Sequence, residues 1–376
     1  MKEMFQEWYK SRHEYVREWK KKHKDGKVMG YFCTYVPEEI LYAANILPVR
    51  ILGSHESQDV TEPHIFAMYC PFCRDCLAQG LKGRYNYLDG IMIAQSCLHI
   101  RQAFTSWQQH IPVDYNYYLP MPHFVQNPAA RPYLKAELVA FKKSLEDWLG
   151  KKITDADLDR GIDIMNTNRR LLRQIYETEP NGLSGLDKMY MAVTAQMIDK
   201  NEHSRVLEEL LKEIKAKKPQ PDSAVRLMLV GSEDDDTEFV RMVESVGARI
   251  AIDDHCTGTR YFWNQAVPDP KQPNDRLQTI ANRYIDRPAC PTKDWPERKR
   301  LPHIAKLAQD YKVQGAIVIQ QKFCDPHELD IPSIIKMFKS KNIPTLFLEF
   351  DVTVPIGQFK TRVEAFLEMI GQDELF

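Results

Sequence analysis

The segment AMYCPFCRDCLAQGL spaces Cys70, Cys73 and Cys76 as C-x2-C-x2-C. Thiols at such intervals can hold iron or zinc, yet this run is incomplete by itself. No fourth cysteine follows at the short offset of a ferredoxin-type site, and no second tight C-x2-C completes a zinc site. FCRDCLAQGLKG also reads as continuous helix, which puts Cys73 and Cys76 about one turn apart, where packing is expected rather than ligation. Cys70 differs because it immediately precedes that helix, whose N-terminal dipole favours a thiolate. Two further thiols share a context of their own. Cys97 closes the apolar run GIMIAQSC and Cys324 closes GAIVIQQKFC, each read as a strand reaching the carboxyl edge of a parallel sheet. Together the three would form a three-sulfur face in a cleft; the alternative is three ordinary buried cysteines.

Glu39, in VPEEILYAA, is a candidate proton donor or hydrogen-bond partner of a substrate carbonyl. Its structural alternative is an acid at a helix N-terminus interacting with the dipole. DDHCTGTR follows the apolar run ARIAI at another sheet edge. There Asp253, Asp254, Thr257 and Arg260 either line the cleft and contact a ligand, arginine being suited to phosphate, or form a solvated loop salt bridge. His99 and His255 are candidate proton sources, or histidines satisfied within the structure.

The elements that must position these residues follow from apolar periodicity. Residues 1–26 are charged, with Phe5, Trp8, Tyr9, Tyr15 and Trp19 at roughly helical spacing, and suggest an amphipathic helix lying on something larger. Residues 27–130 alternate strand-like and helix-like segments, the signature of a mostly parallel α/β sheet. Residues 131–222 carry helical periodicity, and AKKPQPDSA is the best candidate linker. Residues 223–376 return to the α/β rhythm, interrupted by a Pro-rich irregular piece over 267–300. Two α/β domains with a helical insert are expected.

Composition sets outer bounds. With 376 residues, 43% of them hydrophobic, the chain is long enough for a large core. Its 51 basic and 52 acidic residues give no polycationic surface for nucleic acid or membrane. The N-terminal segment lacks the apolar core of a signal peptide, and no stretch approaches the ~20 apolar residues of a membrane span. A cytoplasmic setting is expected, where metal ligation or free thiols are favoured over disulfides.

Four segments carry a resemblance: GYFCTYVPEEILYAANILPVRI, YCPFCRDCLAQGLKGRYNYLDGIMIAQSC, DDHCTGTRYF, and VQGAIVIQQKFCDPHELDIPSI with IPTLFLEFD. Their order and spacing resemble the 2-hydroxyacyl-CoA dehydratase and benzoyl-CoA reductase family, specifically its smaller cluster-bearing subunit, over nearly the whole chain. The resemblance implies two Rossmann/flavodoxin-like parallel-sheet domains with an iron–sulfur cluster in the cleft between them. It implies a [4Fe-4S] cluster on Cys70, Cys97 and Cys324, with one iron not bound by cysteine, while Cys73, Cys76, Cys256 and Cys290 do not ligate; at Cys33 many relatives carry another residue, which argues against ligation there and leaves it a place near the cluster. It further implies an oxygen-free enzyme complex that drives single electrons into an acyl-CoA thioester. One branch of the family dehydrates 2-hydroxyacyl-CoA and the other reduces the benzoyl-CoA ring, and the quoted motifs look more like the ring-reducing branch. A non-catalytic relay or scaffold role is a further alternative. The chain has no G-x4-G-K-[ST] phosphate loop. The implied partners are therefore ATP-hydrolysing iron–sulfur activator subunits, a ferredoxin upstream, and a homologous second cluster-bearing subunit. Arg260, Asp254 and Thr257 are the expected contacts to the CoA ester. The chain departs from the family's pattern after Cys97, where Leu98 and His99 replace a usual Asp.

Overall fold

The computed structural model describes residues 1–178, 182–216 and 223–373. Most of the expected linker, and with it the boundary at 222, lies outside the described residues. Two four-stranded sheets organise the chain, and every strand pairing in them is parallel. The first comprises β1 (Lys27–Tyr31), β2 (Ile46–Arg50), β3 (Gly90–Ala94) and β4 (Tyr115–Leu119), in the order β2-β1-β3-β4. The second comprises β5 (Val225–Gly231), β6 (Ala248–Asp254), β7 (Gly315–Gln321) and β8 (Thr345–Phe350), in the order β6-β5-β7-β8. The two orders are the same once each sheet is counted from its own first strand. Both fit the expected Rossmann/flavodoxin-like pattern, in which the chain reverses direction across the sheet between the first and third strands. GIMIA and GAIVIQQ are buried along their whole length, as strands covered by helices on both faces must be.

The helices after β4 do not build a separate core. Helix Ala130–Leu149 sets Leu134, Leu138, Phe141 and Leu145 against the first sheet. Helices Asp155–Glu177, Gly185–Thr194 and Lys200–Ala216 join the core of the second sheet, together with Phe5 from the N-terminal helix Lys2–Lys10. The expected amphipathic start is thus two helices, Lys2–Lys10 and Arg12–Lys22, with Phe5, Val16 and Trp19 turned inward.

The expected irregular piece over 267–300 contains a helix, Arg276–Asp286. Asp275 caps it by accepting from the Gln278 N–H, the satisfaction of a free first-turn donor that the flanking prolines obscured in sequence. Ile280, Ala281, Tyr284 and Ile285 of this helix pack on the first sheet's core rather than the second's. Chain from beyond β6 therefore crosses back over the first sheet and ties the halves together.

Helix Glu38–Ala43 crosses helix Asp155–Glu177 so closely that a Cβ added at Gly161 would sit 2.1 Å from the Glu39 backbone oxygen. In an exposed helix Gly→Ala stabilises by ~1 kcal/mol. Here the backbone cannot yield cheaply, so Gly161→Ala is expected to destabilise by about 1–3 kcal/mol, the scale of overpacking. A denaturation midpoint that stays put or rises in Gly161→Ala would contradict this packing.

Candidate functional site

Parallel α/β sheets bind ligands outside the carboxyl ends of their strands, where the strand order reverses. Both sheets present that edge to one cavity. Phe32, Cys33 and Thr34 reach it from beyond β1, Ser96 and Cys97 from beyond β3. Glu233 enters from beyond β5, Cys256 from beyond β6, and Gln321 and Cys324 from the end of β7. The cavity holds about 770 Å³ of empty space, counting its mouth. Seven of the eight cysteines line it, all but Cys76.

Cys97 and Cys324 do not close their strands, as expected from sequence. Each lies three residues past its strand and is the N-cap of the next helix, Leu98–His110 and Asp325–Lys339. Cys70 is likewise the N-cap of Pro71–Leu81. Three helix N-termini, with their free N–H groups and positive dipole ends, thus meet at one place, an arrangement that favours thiolates. Cys97 Sγ accepts directly from the Ile100 N–H at 3.5 Å. Hydrogen bonds from Cys324 and then Cys73 hold the Cys70 thiol well below its usual pKa, while the same contact with Cys70 pushes Cys324 up. A hydrogen bond from Cys73 lowers Cys97, and burial raises Cys73 itself. Cys73, expected only to pack, is therefore in contact with both Cys70 and Cys97. Cys76 behaves as expected: its thiol faces the Ile51 carbonyl at 3.4 Å, away from the cavity.

His99 links the three caps. Its Nδ1 accepts from the Cys70 N–H at 3.0 Å, which leaves the ring proton on Nε2, 3.6 Å from Asp325 Oδ2. A residue two past Cys97 thereby ties the residue at one cap to the residue following another. Just before Cys324, Phe323 takes a left-handed φ of 59°, a strained conformation for a bulky side chain and one that places the thiol at its turn.

The other expected site residues fare differently. Arg260 lines the cavity, donating to the Gly231 and Asp254 carbonyls. Asp254 does not reach the cavity; it is buried against Arg300 Nη1 at 2.6 Å and Arg260 Nε at 3.6 Å. Thr257 also points elsewhere, its hydroxyl donating to the Asp234 carbonyl with His255 Nδ1 3.0 Å away. Glu39 is fully buried outside the cavity. Arg169 Nη1 donates to its Oε1 at 2.6 Å and the Tyr284 hydroxyl to its Oε2 at 2.8 Å. Burial alone would raise its pKa, but Arg169 and Arg283 outweigh that and hold it below 4.5. This carboxylate is an ionised half of a buried pair. Sequence reading missed Arg50, Glu233 and Gln321 on the cavity wall. Their signal was position, since each lies at or within two residues of a strand's carboxyl end.

Among the described residues, no three His, Cys, Asp or Glu side chains close on a point that would hold a single metal ion. Soft thiols arrayed around a cavity suit a polynuclear iron–sulfur unit better than zinc.

Residues 33–370 match a family model described as 2-hydroxyglutaryl-CoA dehydratase, D-component. The chain is 28% identical over 351 residues to the (R)-phenyllactyl-CoA dehydratase beta subunit of Clostridium sporogenes, covering 92% of each chain. It is 27% identical over 357 residues to the beta subunit of the (R)-2-hydroxyglutaryl-CoA dehydratase of Acidaminococcus fermentans, again 92% of each. To a subunit of the benzoyl-CoA reductase of Thauera aromatica it is 24% identical over 354 residues, 92% of this chain and 90% of the other.

Glu39→Gln leaves Arg169 buried without its counter-charge and is expected to cost about 3–5 kcal/mol of stability in chemical denaturation. The folded carboxyl titrates below its ordinary value of 4.5. Its contribution is thus fully present above that pH and fades as pH falls through the folded value, so wild type and variant should converge in acid. Unchanged stability with turnover down ~10²-fold, the mark of a lost proton donor, would contradict this placement.

Proposed function

The chain belongs to the 2-hydroxyglutaryl-CoA dehydratase D-component family, and from that membership we propose that it is the iron–sulfur subunit of an ATP-dependent 2-hydroxyacyl-CoA dehydratase. One observation carries the reading: Cys70, Cys97 and Cys324, each the N-cap of a separate helix, line a single cavity between two parallel sheets. These residues would hold a [4Fe-4S] cluster. When bound, such a cluster supplies single low-potential electrons to a thioester-activated acyl group.

The chain's own residues supply the setting. Three N-terminal dipoles favour the charged ligand set, and His99 fixes the relative position of the three caps. Phe32, Tyr35 and Phe72 give the wall an apolar character that limits water. Of the three expected CoA contacts, Arg260 alone faces the cavity. The dehydratase branch is favoured over ring reduction because two dehydratase subunits match at 28% and 27% identity, against 24% for the reductase subunit. The Thauera match and the motifs quoted at the outset keep benzoyl-CoA reduction as a second reading.

All three relatives are named as subunits, and the exposed apolar residues of this chain suit partners. Exposed Met68, Leu98 and Phe323 stand within two residues of Cys70, Cys97 and Cys324, with Phe66 and Leu329 exposed nearby in the chain. Apolar side chains exposed so near the three cysteines in the chain fit a homologous second subunit and an ATP-hydrolysing iron–sulfur activator fed by a ferredoxin. Among the described residues no helix is long and apolar enough to cross a membrane.

The test is anaerobic purification with co-expressed neighbours, assayed with ATP and a strong reductant. Dehydration of a 2-hydroxyacyl-CoA, abolished in Cys324→Ser together with the loss of most iron, is the expected result. Ring reduction of benzoyl-CoA without dehydration would move the protein to the second reading. Full iron retention in Cys324→Ser would overturn the ligand assignment.

A further inference from the structure

Among the described residues Glu233 supplies the only carboxyl on the cavity wall, and the reading above gives it no task. It lies two residues past β5, is 6% exposed, and neither of its oxygens meets a hydrogen-bond donor among those residues. Burial raises its pKa well above 4.5, and Asp235, Cys256 and Asp234 raise it further, while Arg50 pulls the other way without bonding to it. Glu233 therefore keeps its proton at neutral pH. Two histidines share the wall but are poorer acids for the cavity. His99 is committed to the Cys70 N–H and Asp325, and burial together with Arg260 and Arg300 holds His327 neutral.

A line of groups leads outward from Glu233. Asp235, two residues on, is buried and pairs through Oδ1 with His55 Nε2 at 2.7 Å, while its Oδ2 has no partner among the described residues. Burial would raise Asp235, but His55 and then Arg12 and Arg50 outweigh it and keep the carboxylate ionised. Burial would lower His55, but Asp235 outweighs it and pushes the imidazole up to about 10, so the ring is charged and donates. The His55 side chain is 21% exposed and meets solvent. Its backbone holds a left-handed φ of 58°, fixed by its N–H donating to Asp75 Oδ2 at 2.8 Å. Buried acceptors left open are costly, and a proton or a water shared between Asp235 and Glu233 relieves that cost. The other two acids of this loop lie off the line: Asp236 caps helix Thr237–Ser245, and Asp234 Oδ1 accepts the Asp236 N–H.

Arg50 gives a reason for the Glu233 proton to leave. It is 1% exposed, its Nε and Nη1 have no partner among the described residues, and its Nη2 reaches only Cys256 Sγ at 4.0 Å. A buried guanidinium without an anion is costly, and that cost falls once Glu233 becomes a carboxylate.

We propose that Glu233 is the proton donor of the cavity and that Asp235 and His55 reload it from solvent. The proposal rests on the reading of the cavity as the place where the acyl group reacts. As the carbon–oxygen bond of a 2-hydroxyacyl group breaks, its electron pair leaves with the oxygen, and the Glu233 proton turns that hydroxyl into water. A proton relayed through His55 and Asp235 then restores the carboxyl, in balance with the β-proton that dehydration releases. Glu233 acts on the substrate; Asp235 and His55 act through it.

The test is infrared spectroscopy of the full-length protein purified anaerobically with its partners, joined to turnover. At pH 7 the wild type should show a protonated-carboxyl band that Glu233→Gln lacks; Asp234→Asn identifies the separate band of Asp234, which burial also pushes up. An identical spectrum in Glu233→Gln means an ionised Glu233 and overturns the proposal. On transfer to D2O the Glu233 band should shift roughly tenfold more slowly in His55→Gln than in wild type, and equal rates would remove His55 from the path. Glu233→Gln should keep its iron and lose turnover by ~10²-fold or more, the scale of a lost general acid; unchanged turnover refutes the donor role. Should Glu233→Gln not fold, wild-type protein labelled with 13C at its glutamate carboxyls decides, since no protonated glutamate at pH 7 refutes the proposal. Protein that turns over no acyl-CoA yet passes both infrared arms would sink the function above and leave the proton path standing.

Discussion

A helix begins with N–H groups that have no partner within the helix, and a parallel sheet directs the chain out of its carboxyl edge into such helix starts. Everything at the candidate site follows from two sheets doing this towards the same point. β3 and β7 each run three residues past their last paired residue and deliver a cysteine as the cap of the next helix. Cys70 arrives by a different route, through the loop after β2, but also as a cap, with Pro71 pre-setting the first helical turn. The common geometry explains why residues far apart in sequence share one cavity.

Holding two sheets edge to edge around a cavity requires clamps away from it. Helix Glu38–Ala43 supplies two acids for this. Glu38 meets Lys200 at 3.1 Å and the Tyr261 hydroxyl at 3.1 Å, while Glu39 meets Arg169 and Tyr284. Those partners come from the helical stretch and from the chain beyond β6, so a single six-residue helix joins three regions. His55 and Asp235 add another cross-link, at 2.7 Å, between the loop after β2 and the loop after β5. Arg74, on the Cys70 helix, reaches Asp351 beyond β8 at 3.1 Å. Buried ion pairs are weak contributors to net stability, but losing one partner is severe. They fix orientation, and orientation is what a ligand set drawn from both halves needs.

Much of this was legible in sequence, and the failures have physical causes. Apolar runs such as GIMIA and GAIVIQQ, buried on both faces, announced parallel strands, and the long 3.6-residue pattern over 155–177 announced its helix. Local pattern could not reveal that helix Arg276–Asp286 packs on the first sheet, because its partner, helix Ala130–Leu149, lies far back in the chain. The surroundings of Glu39 were hidden for the same reason. Its two close partners, Arg169 and Tyr284, are remote in sequence, and a carboxylate's pKa follows its neighbours rather than its helix position. Asp254 and Thr257 were sensibly placed at a sheet edge, but side-chain direction within a turn is decided by tertiary contacts. The reading of Cys70, Cys97 and Cys324 as one group rested on strand-end and helix-start positions, which are local features. The accompanying convergence of Cys33, Cys256 and Cys290 needed the fold.

Crystals of the anaerobically purified protein, measured on both sides of the iron absorption edge, test the central claim most directly. The account predicts anomalous density inside the cavity, bonded to the sulfurs of Cys70, Cys97 and Cys324. A cavity free of iron in protein whose solution analysis shows full iron content, or iron bound outside it, would contradict the account.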